Sequence, residues 1–564
     1  MLIPFSLSAQ LPFQREVVGA ESIEVRSVSS APNGAVVLGG SFRDNTTNGK
    51  GFLMRVDPCG NLEWMRTYAF GNGLIIHHAI VTLDGGYLMT GEISNGTTAE
   101  DLIVIKTNGL GTILWHQTFQ GGGAEVGYAV TEVRSNGLPL SYLVTGGTNS
   151  YGEGEKDILL MSLNLTGGIN WQRQYGGLQN ESGVRIMFDG IGNILCAGTT
   201  NSFGSVNDFN GFLLKVDLNN GSADWLKVYD LGGSDWINGL ELAANGDILL
   251  SGQTDARGGQ SQNDYWLMRL NASGQPLWSK QYGTNQEERA FEVVGMPDGG
   301  FAIGGFGQDL GLGDTDIAAI RTNAFGDIQW AKAYGTADPD TDFQLTQFSI
   351  GPNNLGGVWI GSSRFVNGIQ PSPYIIFTDS LGNTGVDCQV VTQQLTTTAL
   401  LPTVSEPAFG VKAFGFSTPA LPNVTPFNPQ IVESCPQEAL DLGPDITLCP
   451  NESLTLSVPI TPGASYLWST GATTNSITVA QSDTYWLEVL LNNCPRADTI
   501  IVDFLPEIDL IPQSNATLCL GDSLVLNVPA GLSNWQWSNG GTDSSLIIRQ
   551  AGQYQLIGSD AFCT

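Results

Sequence analysis

Positive charge is scarce in this chain. Its 564 residues carry 23 Lys and Arg against 54 Asp and Glu, for a net charge of −31, and beyond residue 390 the only bases are Lys412, Arg496 and Arg549. A phosphate backbone needs clustered Lys and Arg to displace its counterions, so nucleic acid is not expected as a partner, and an anionic membrane surface is disfavoured for the same reason. Histidine is scarcer still, confined to His77, His78 and His116. Adjacent strand residues point to opposite faces, so His77 and His78 cannot easily share a transition metal. No run of 18 apolar residues occurs, so no transmembrane helix is expected. GxSxG, HExxH and GxxxxGK[ST] are all missing, and with them the nucleophile elbow, the zinc-peptidase helix and the phosphate loop. No catalytic constellation is found, and the chain is not expected to be an enzyme.

What is abundant is glycine, at 72 residues, beside only 14% charged residues, a balance that favours short strands and tight turns over long helices. Six tryptophans, Trp64, Trp115, Trp171, Trp225, Trp278 and Trp330, recur 51 to 56 residues apart. Each is followed four residues later by Tyr68, Phe119, Tyr175, Tyr229, Tyr282 or Tyr334. A period near fifty marks one supersecondary unit copied in a ring or array. Seven turn-plus-apolar segments ending in glycine, from NGAVVLGG at Gly40 to LGGVWIG at Gly361, each precede a second strand such as GFLMRVD or DYWLMRLN. A third strand carries the Trp and Tyr, and a fourth follows, as around Ala129. Four-stranded units stacked radially make a β-propeller, predicted here with seven blades over 10–386. The seventh unit lacks a Trp-bearing strand, but the segment at Phe13–Gly19 matches that strand with Phe13 for Trp. The N-terminal strand is therefore expected to complete the last blade and remove a free sheet edge.

Segments such as DYWLMRLNASGQPLWSKQYG and DGGFAIGGFG resemble bacterial SBBP-type seven-bladed propeller repeats. The turn-plus-Trp pattern of DPCGNLEW and NASGQPLW is similar to the tryptophan-docking motif of quinoprotein-like propellers, without a further match to a quinone site. The Asp-box of sialidases is absent.

The opening MLIPFSLSAQ resembles the tail of a secretory signal peptide without its basic start, and residues 1–9 are read as that remnant. Cysteine usage agrees with export. Six of eight cysteines fall after residue 385 as successive pairs, Cys388 with Cys435, Cys449 with Cys494 and Cys519 with Cys563; Cys59 and Cys196 are left over. Closing one such loop contributes about 4 kcal/mol on the chain-entropy model. Residues 387–438, rich in Thr and Pro, read as a Cys-bracketed linker or a small irregular β-element. Two similar segments follow, 439–505 and 506–564, each with alternating strands and a WS-x-G turn at Trp468 or Trp537. They read as two Ig-like sandwiches, the second stopping one residue after Cys563 and so expected to be incomplete. They resemble Ig-like or PKD-like modules of secreted, surface-attached Bacteroidetes proteins. That resemblance implies type IX secretion as a common export route.

Six residues after the aromatic that ends the third strand, five of six units place an acid: Glu125, Glu181, Asp235, Glu288 and Asp340, where the first unit has Leu74. Such a rim could form a negative funnel for a cation, a Ca²⁺-bridged glycan or a basic partner. The competing reading is structural, because Arg55, Lys106, Lys215, Arg269 and Arg321 also recur and can pair with acids between blades. Asp338, Asp340 and Asp342 form the best Ca²⁺ candidate, although Phe343 stands where Gly usually follows DxDxD. No other cofactor is implied. The expected function is that of a secreted or cell-surface, non-enzymatic adhesion or scaffold protein whose propeller binds glycan or protein. The rivals are a carbohydrate-active enzyme with acids in the propeller channel and a structural spacer of a surface fibre.

Overall fold

The computed structural model describes residues 13–559 apart from short stretches, the longest being 336–348, 413–422 and 506–515. Every regular element described is a β-strand. The chain divides into two units, Met1–Glu438 and Ala439–Thr564.

The first unit is a seven-bladed β-propeller. Blade 1 runs through Ser22–Ser30, Val36–Arg43, Lys50–Val56 and Leu62–Ala69, paired in sequence order and antiparallel throughout. Blades 2 to 6 repeat this plan. The first strand of each blade contacts the first strands of its neighbours, so these seven strands surround the axis. The second and third strands, such as Ile248–Thr254 and Asp264–Leu270, are buried almost throughout. That is why they read as unbroken apolar runs: both faces pack against another blade.

The repeated Trp and Tyr fasten each blade to the next. The hydroxyl of Tyr68 donates to the Gly111 carbonyl at 2.8 Å, Tyr229 to Gly274 at 2.9 Å, Tyr282 to Gly326 at 2.7 Å and Tyr334 to Gly382 at 2.8 Å. Tyr175 makes the same bond to Gly221. The indole N–H of Trp115, Trp171 and Trp330 reaches a carbonyl of the same turn in the following blade, on Leu165, Leu218 and Ser380. Each turn carries its glycine at positive φ, +77° for Gly326, directly against the tryptophan of the preceding blade. The aromatics are thus inter-blade structure.

Ring closure follows the expected route. Phe13–Val18 pairs antiparallel with Gln370–Phe377 and becomes the fourth strand of blade 7, with Phe13 opposite Phe377. Buried Gln14 accepts from the Tyr374 hydroxyl at 2.6 Å. Glu16 accepts from Ser372 Oγ at 2.5 Å and pairs with Arg364 at 3.1 Å.

Residues 390–433 are more than a connection. Six short strands, Val390–Thr392, Thr396–Ala399, Thr403–Ser405, Gly410–Lys412, Asn423–Phe427 and Gln430–Glu433, add a fifth, outermost strand to blades 6, 5, 4, 3, 1 and 7 in that order. The segment expected to be a linker or small irregular element is a belt around the ring, and it belongs to the propeller unit. Among the described residues, only blade 2, Gly73–Val81 to Ile113–Phe119, has no fifth strand. The last belt strand pairs with Phe13–Val18, so the closing strand lies between two neighbours.

The second unit contains the two Ig-like β-sandwich modules. In the first, a four-stranded sheet contains Ile446–Leu448, Cys494–Phe504, Asp483–Leu491 and Ser465–Trp468, and a two-stranded sheet pairs Leu454–Ser457 with Ser476–Val479. Trp468, Leu487, Ile500 and Val502 fill its core. The second module has two two-stranded sheets around Trp537, Leu546 and Ile548. Cys449 is disulfide-bonded. Cys519 is exposed and free, so the bridge expected with Cys563 is not formed. In the first module Cys494 opens the long strand Cys494–Phe504; among the described residues the second module has no such strand to present its second cysteine. Among the described residues no helix is long and apolar enough to cross a membrane.

Candidate functional site

The four described rim acids, Glu125, Glu181, Asp235 and Glu288, do not face solvent. Glu125, Asp235 and Glu288 are 0% exposed and Glu181 2%, and each is the first residue of an inner strand. Their carboxylates turn back to cap the loop that arrives from the preceding blade. Glu125 accepts from the Gly121 N–H at 2.6 Å, Glu181 from Gly177 at 2.8 Å, Asp235 from Leu231 at 2.8 Å and Glu288 from Thr284 at 3.1 Å. Glu125 and Glu181 also accept from Thr148 and Thr200 on the adjacent strand, at 3.0 and 2.8 Å. The funnel reading is corrected for these four: a buried carboxylate turned back onto its own loop has no face to offer a ligand. In blade 2 this position is the buried Leu74.

The recurring bases pair elsewhere, within their own blades. Lys106 meets Asp84 at 2.8 Å and Arg269 meets Asp247 at 2.7 Å, while Arg321 pairs with Asp298 and Arg55 with Glu63.

Buried carboxyls carry a pH consequence. Burial pushes Asp235 up to about 7, and burial reinforced by the nearby Asp264 carboxyl pushes Glu288 up to about 8. A raised carboxyl binds its proton more tightly in the folded state. Its stabilising contribution is therefore complete below the unfolded value near 4 and is lost as pH rises through 7 to 8. The melting temperature is expected to be several degrees higher at pH 5.5 than at pH 8.5. Asp235→Asn and Glu288→Gln together should flatten that slope, and an unchanged slope in the double variant would refute the assignment.

Farther along the inner strands of blades 1 to 6 lies a β-bulge at one register, at Arg26, His77, Tyr128, Val184, Asn238 and Phe291. A bulge re-aims the residues beside it. The residue after it differs from blade to blade: Ser27, His78, Ala129, Arg185, Gly239 and Glu292, with Ser349 at the matching place in blade 7. Several of these side chains step across to the next inner strand. Ser27 Oγ bonds the Ala79 backbone, His78 Nδ1 accepts from the Val130 N–H at 3.2 Å, and Ser349 Oγ donates to the Val28 carbonyl at 2.9 Å.

A cavity of about 220 Å³ opens among the inner strands of blades 1, 2, 6 and 7, with His78, Ser349 and Glu292 in its wall. Burial, helped by Arg185, lowers His78 to about 3, so the ring is neutral at physiological pH. With Nδ1 accepting, its proton sits on Nε2. Glu292 is raised by burial against the opposing pull of Arg185, and it accepts from Ser349 Oγ at 2.5 Å. Beside it Glu241, on the inner strand of blade 5, is pushed up to about 8 by burial and by Glu292. The axis thus gathers a neutral imidazole, two carboxyls of raised proton affinity, a guanidinium and a serine hydroxyl.

Glu241, Glu292, His78 and Arg185 were not singled out from sequence as a group, because they come from four blades. The signal that finds His78, Arg185 and Glu292 is the variable column after the bulge, because a repeated residue serves the repeat and a grafted site breaks it; Glu241 stands two residues past that column in blade 5. Asp338, Asp340 and Asp342, with Cys59, Cys388, Cys435 and Cys563, lie outside the described residues, and so does 1–9. Cys196 is a buried free thiol against Thr145, pushed up to about 12 by burial. Among the described residues no three His, Cys, Asp or Glu come together to hold a metal ion. No protein-family model and no curated protein matches the chain, so its likeness to SBBP-type repeats rests on the sequence motifs alone.

Proposed function

We propose that this is a secreted or cell-surface, non-enzymatic adhesion or scaffold protein whose propeller binds a glycan or an extracellular protein at its axial mouth. The observation that carries the reading is the axial cavity, polar and irregular within an otherwise repetitive ring. A rigid scaffold presenting one off-pattern set of donors and acceptors is how binding sites are commonly built. The Ig-like modules and the sequence likeness to secreted Bacteroidetes proteins, with type IX export, support placement at the cell surface. The strong negative charge favours a neutral glycan or a basic protein. A glycan array and a pull-down from envelope extracts test it. At least one is expected to give a signal that His78→Phe, which fills the cavity, reduces at least tenfold. Blank results in both would favour the fibre-spacer reading.

One observation favours a second reading. Glu241 and Glu292 are neighbouring channel carboxyls with raised proton affinity, the pairing that a glycoside hydrolase divides into acid and base. Turnover on a polysaccharide panel, abolished by Glu292→Gln, would replace the binding role with an enzymatic one.

A further inference from the structure

The column of residues after the inner-strand bulge alternates in size around the ring. Blades 2, 4 and 6 place His78, Arg185 and Glu292 there, whereas blades 1, 3, 5 and 7 place Ser27, Ala129, Gly239 and Ser349. Three long side chains thus share one level of the channel, each between small neighbours. Seven is odd, so the alternation fails once, where Ser349 of blade 7 stands beside Ser27 of blade 1. The cavity opens at that junction, between His78 and Glu292, with Ser29, Ser30 and Ser349 in its wall. Blade 4 lies across the axis from the junction of blades 7 and 1, so Arg185 stands opposite the opening.

These groups are short of acceptors. The guanidinium of half-buried Arg185 has five N–H donors and makes one hydrogen bond, from Nη1 to the carbonyl of its neighbour Val184 at 3.1 Å. Its Nε is buried without a partner, and among the described residues no carboxylate lies within ion-pair distance of it. His78 accepts from Val130 with Nδ1, which leaves its Nε2–H without an acceptor among the described residues. Burial raises the proton affinity of Glu241 and Glu292, and this weakens both as counter-charges for Arg185. A cation held with unfilled donors is costly, and a ligand bringing negative oxygen relieves that cost.

We propose that the axial cavity binds the carboxylate of a uronic acid at the end of an otherwise neutral glycan, held by the Arg185 guanidinium and the His78 Nε2–H. This rests on the binding reading above and names its ligand. The guanidinium fork matches the two oxygens of a carboxylate. A phosphate monoester, with nearly two negative charges, is opposed by the carboxyls alongside. The net charge of −31 repels polyanions at a distance, which limits the ligand to isolated carboxylates. At about 220 Å³ the cavity is smaller than the roughly 300–1,000 Å³ of pockets for drug-sized ligands, and it suits a single sugar ring. Val28, Ile80, Val294 and Trp359 supply apolar surface for the C–H face of that ring, and the serines supply partners for its hydroxyls.

The test uses the full chain. Calorimetry compares a glucuronate-ended trisaccharide, its glucose-ended counterpart and a peptide ending in Glu. The glucuronate-ended sugar is expected to bind at least tenfold more tightly than the glucose-ended one, and Arg185→Met to erase the difference. Sodium glucuronate should raise the wild-type melting temperature above its value in sodium chloride of equal ionic strength, and leave the variant unmoved. One expectation needs no ligand: Arg185→Met removes an uncompensated cation, so it should melt at or above the wild-type temperature. A variant melting well below the wild type makes Arg185 a structural residue and overturns the proposal. Equal affinity for the two sugars overturns the carboxylate assignment while the binding reading stands, and preference for the peptide replaces the sugar with a protein. No binding of any of the three overturns the proposal too; the binding reading falls with it only if the glycan array and the pull-down are also blank.

Discussion

A chain lacking residues 1–18 is expected to fail to form the closed propeller, with a stability loss of at least about 5 kcal/mol. Phe13–Val18 is hydrogen-bonded on both sides, to Gln370–Phe377 and to Gln430–Glu433. Removing it therefore leaves two strand edges unpaired in the middle of blade 7. A net 0.5–1.5 kcal/mol per lost hydrogen bond, with roughly 1.5–3 kcal/mol for the fully buried Val17, reaches that total without counting the Glu16–Arg364 pair. The sum is comparable with the whole stability of a typical domain. Circular dichroism melting of the truncated chain, with and without a synthetic peptide covering 11–20, is the measurement. Peptide addition should restore a cooperative transition. A truncated chain melting at the wild-type temperature would show that the ring does not depend on this strand.

Gly326→Ala is expected to destabilise the propeller by about 3 kcal/mol, whereas Gly299→Ala should cost only about 1 kcal/mol. Both glycines have positive φ, +77° and +84°, a conformation that costs an alanine about 1–2 kcal/mol. They differ in what surrounds them. A Cβ on Gly326 would lie 2.9 Å from the Trp278 ring and 3.0 Å from the Tyr282 hydroxyl, while one on Gly299 would meet nothing within 4 Å. The excess at Gly326 is the overpacking of an inter-blade contact, about 1–3 kcal/mol. Urea unfolding of the two variants separates the backbone contribution from the packing one. Equal losses would mean that the Trp–Gly contact adds nothing to blade cohesion.

The same contact explains why so much of the propeller was legible beforehand. Most blades solve one local problem with one set of residues: an Asx turn, a glycine at positive φ, a Trp over it and a Tyr hydroxyl on its carbonyl, with Phe119 standing for the Tyr in blade 2. A solution repeated at each junction prints a period, and the fourfold strand count and the circle's closure by Phe13–Val18 follow from that period. Recurrence does not reveal burial, however. Glu125, Glu181, Asp235 and Glu288 recur as a functional rim would, yet each recurs because a loop N–H at the same place needs an acceptor.

Sequence alone therefore determined the all-β class, the seven blades, the latch between the two ends of the ring and the two sandwich modules, because those depend on turn chemistry and apolar spacing within about fifty residues. Only the tertiary structure decided the belt and the axial site. The belt strands are three to five residues long and attach by backbone hydrogen bonds to outer edges, so they need no apolar rhythm and show none. The axial groups, His78, Arg185, Glu241 and Glu292, stand far apart in the chain, and the circular stacking of blades is what brings them to one channel.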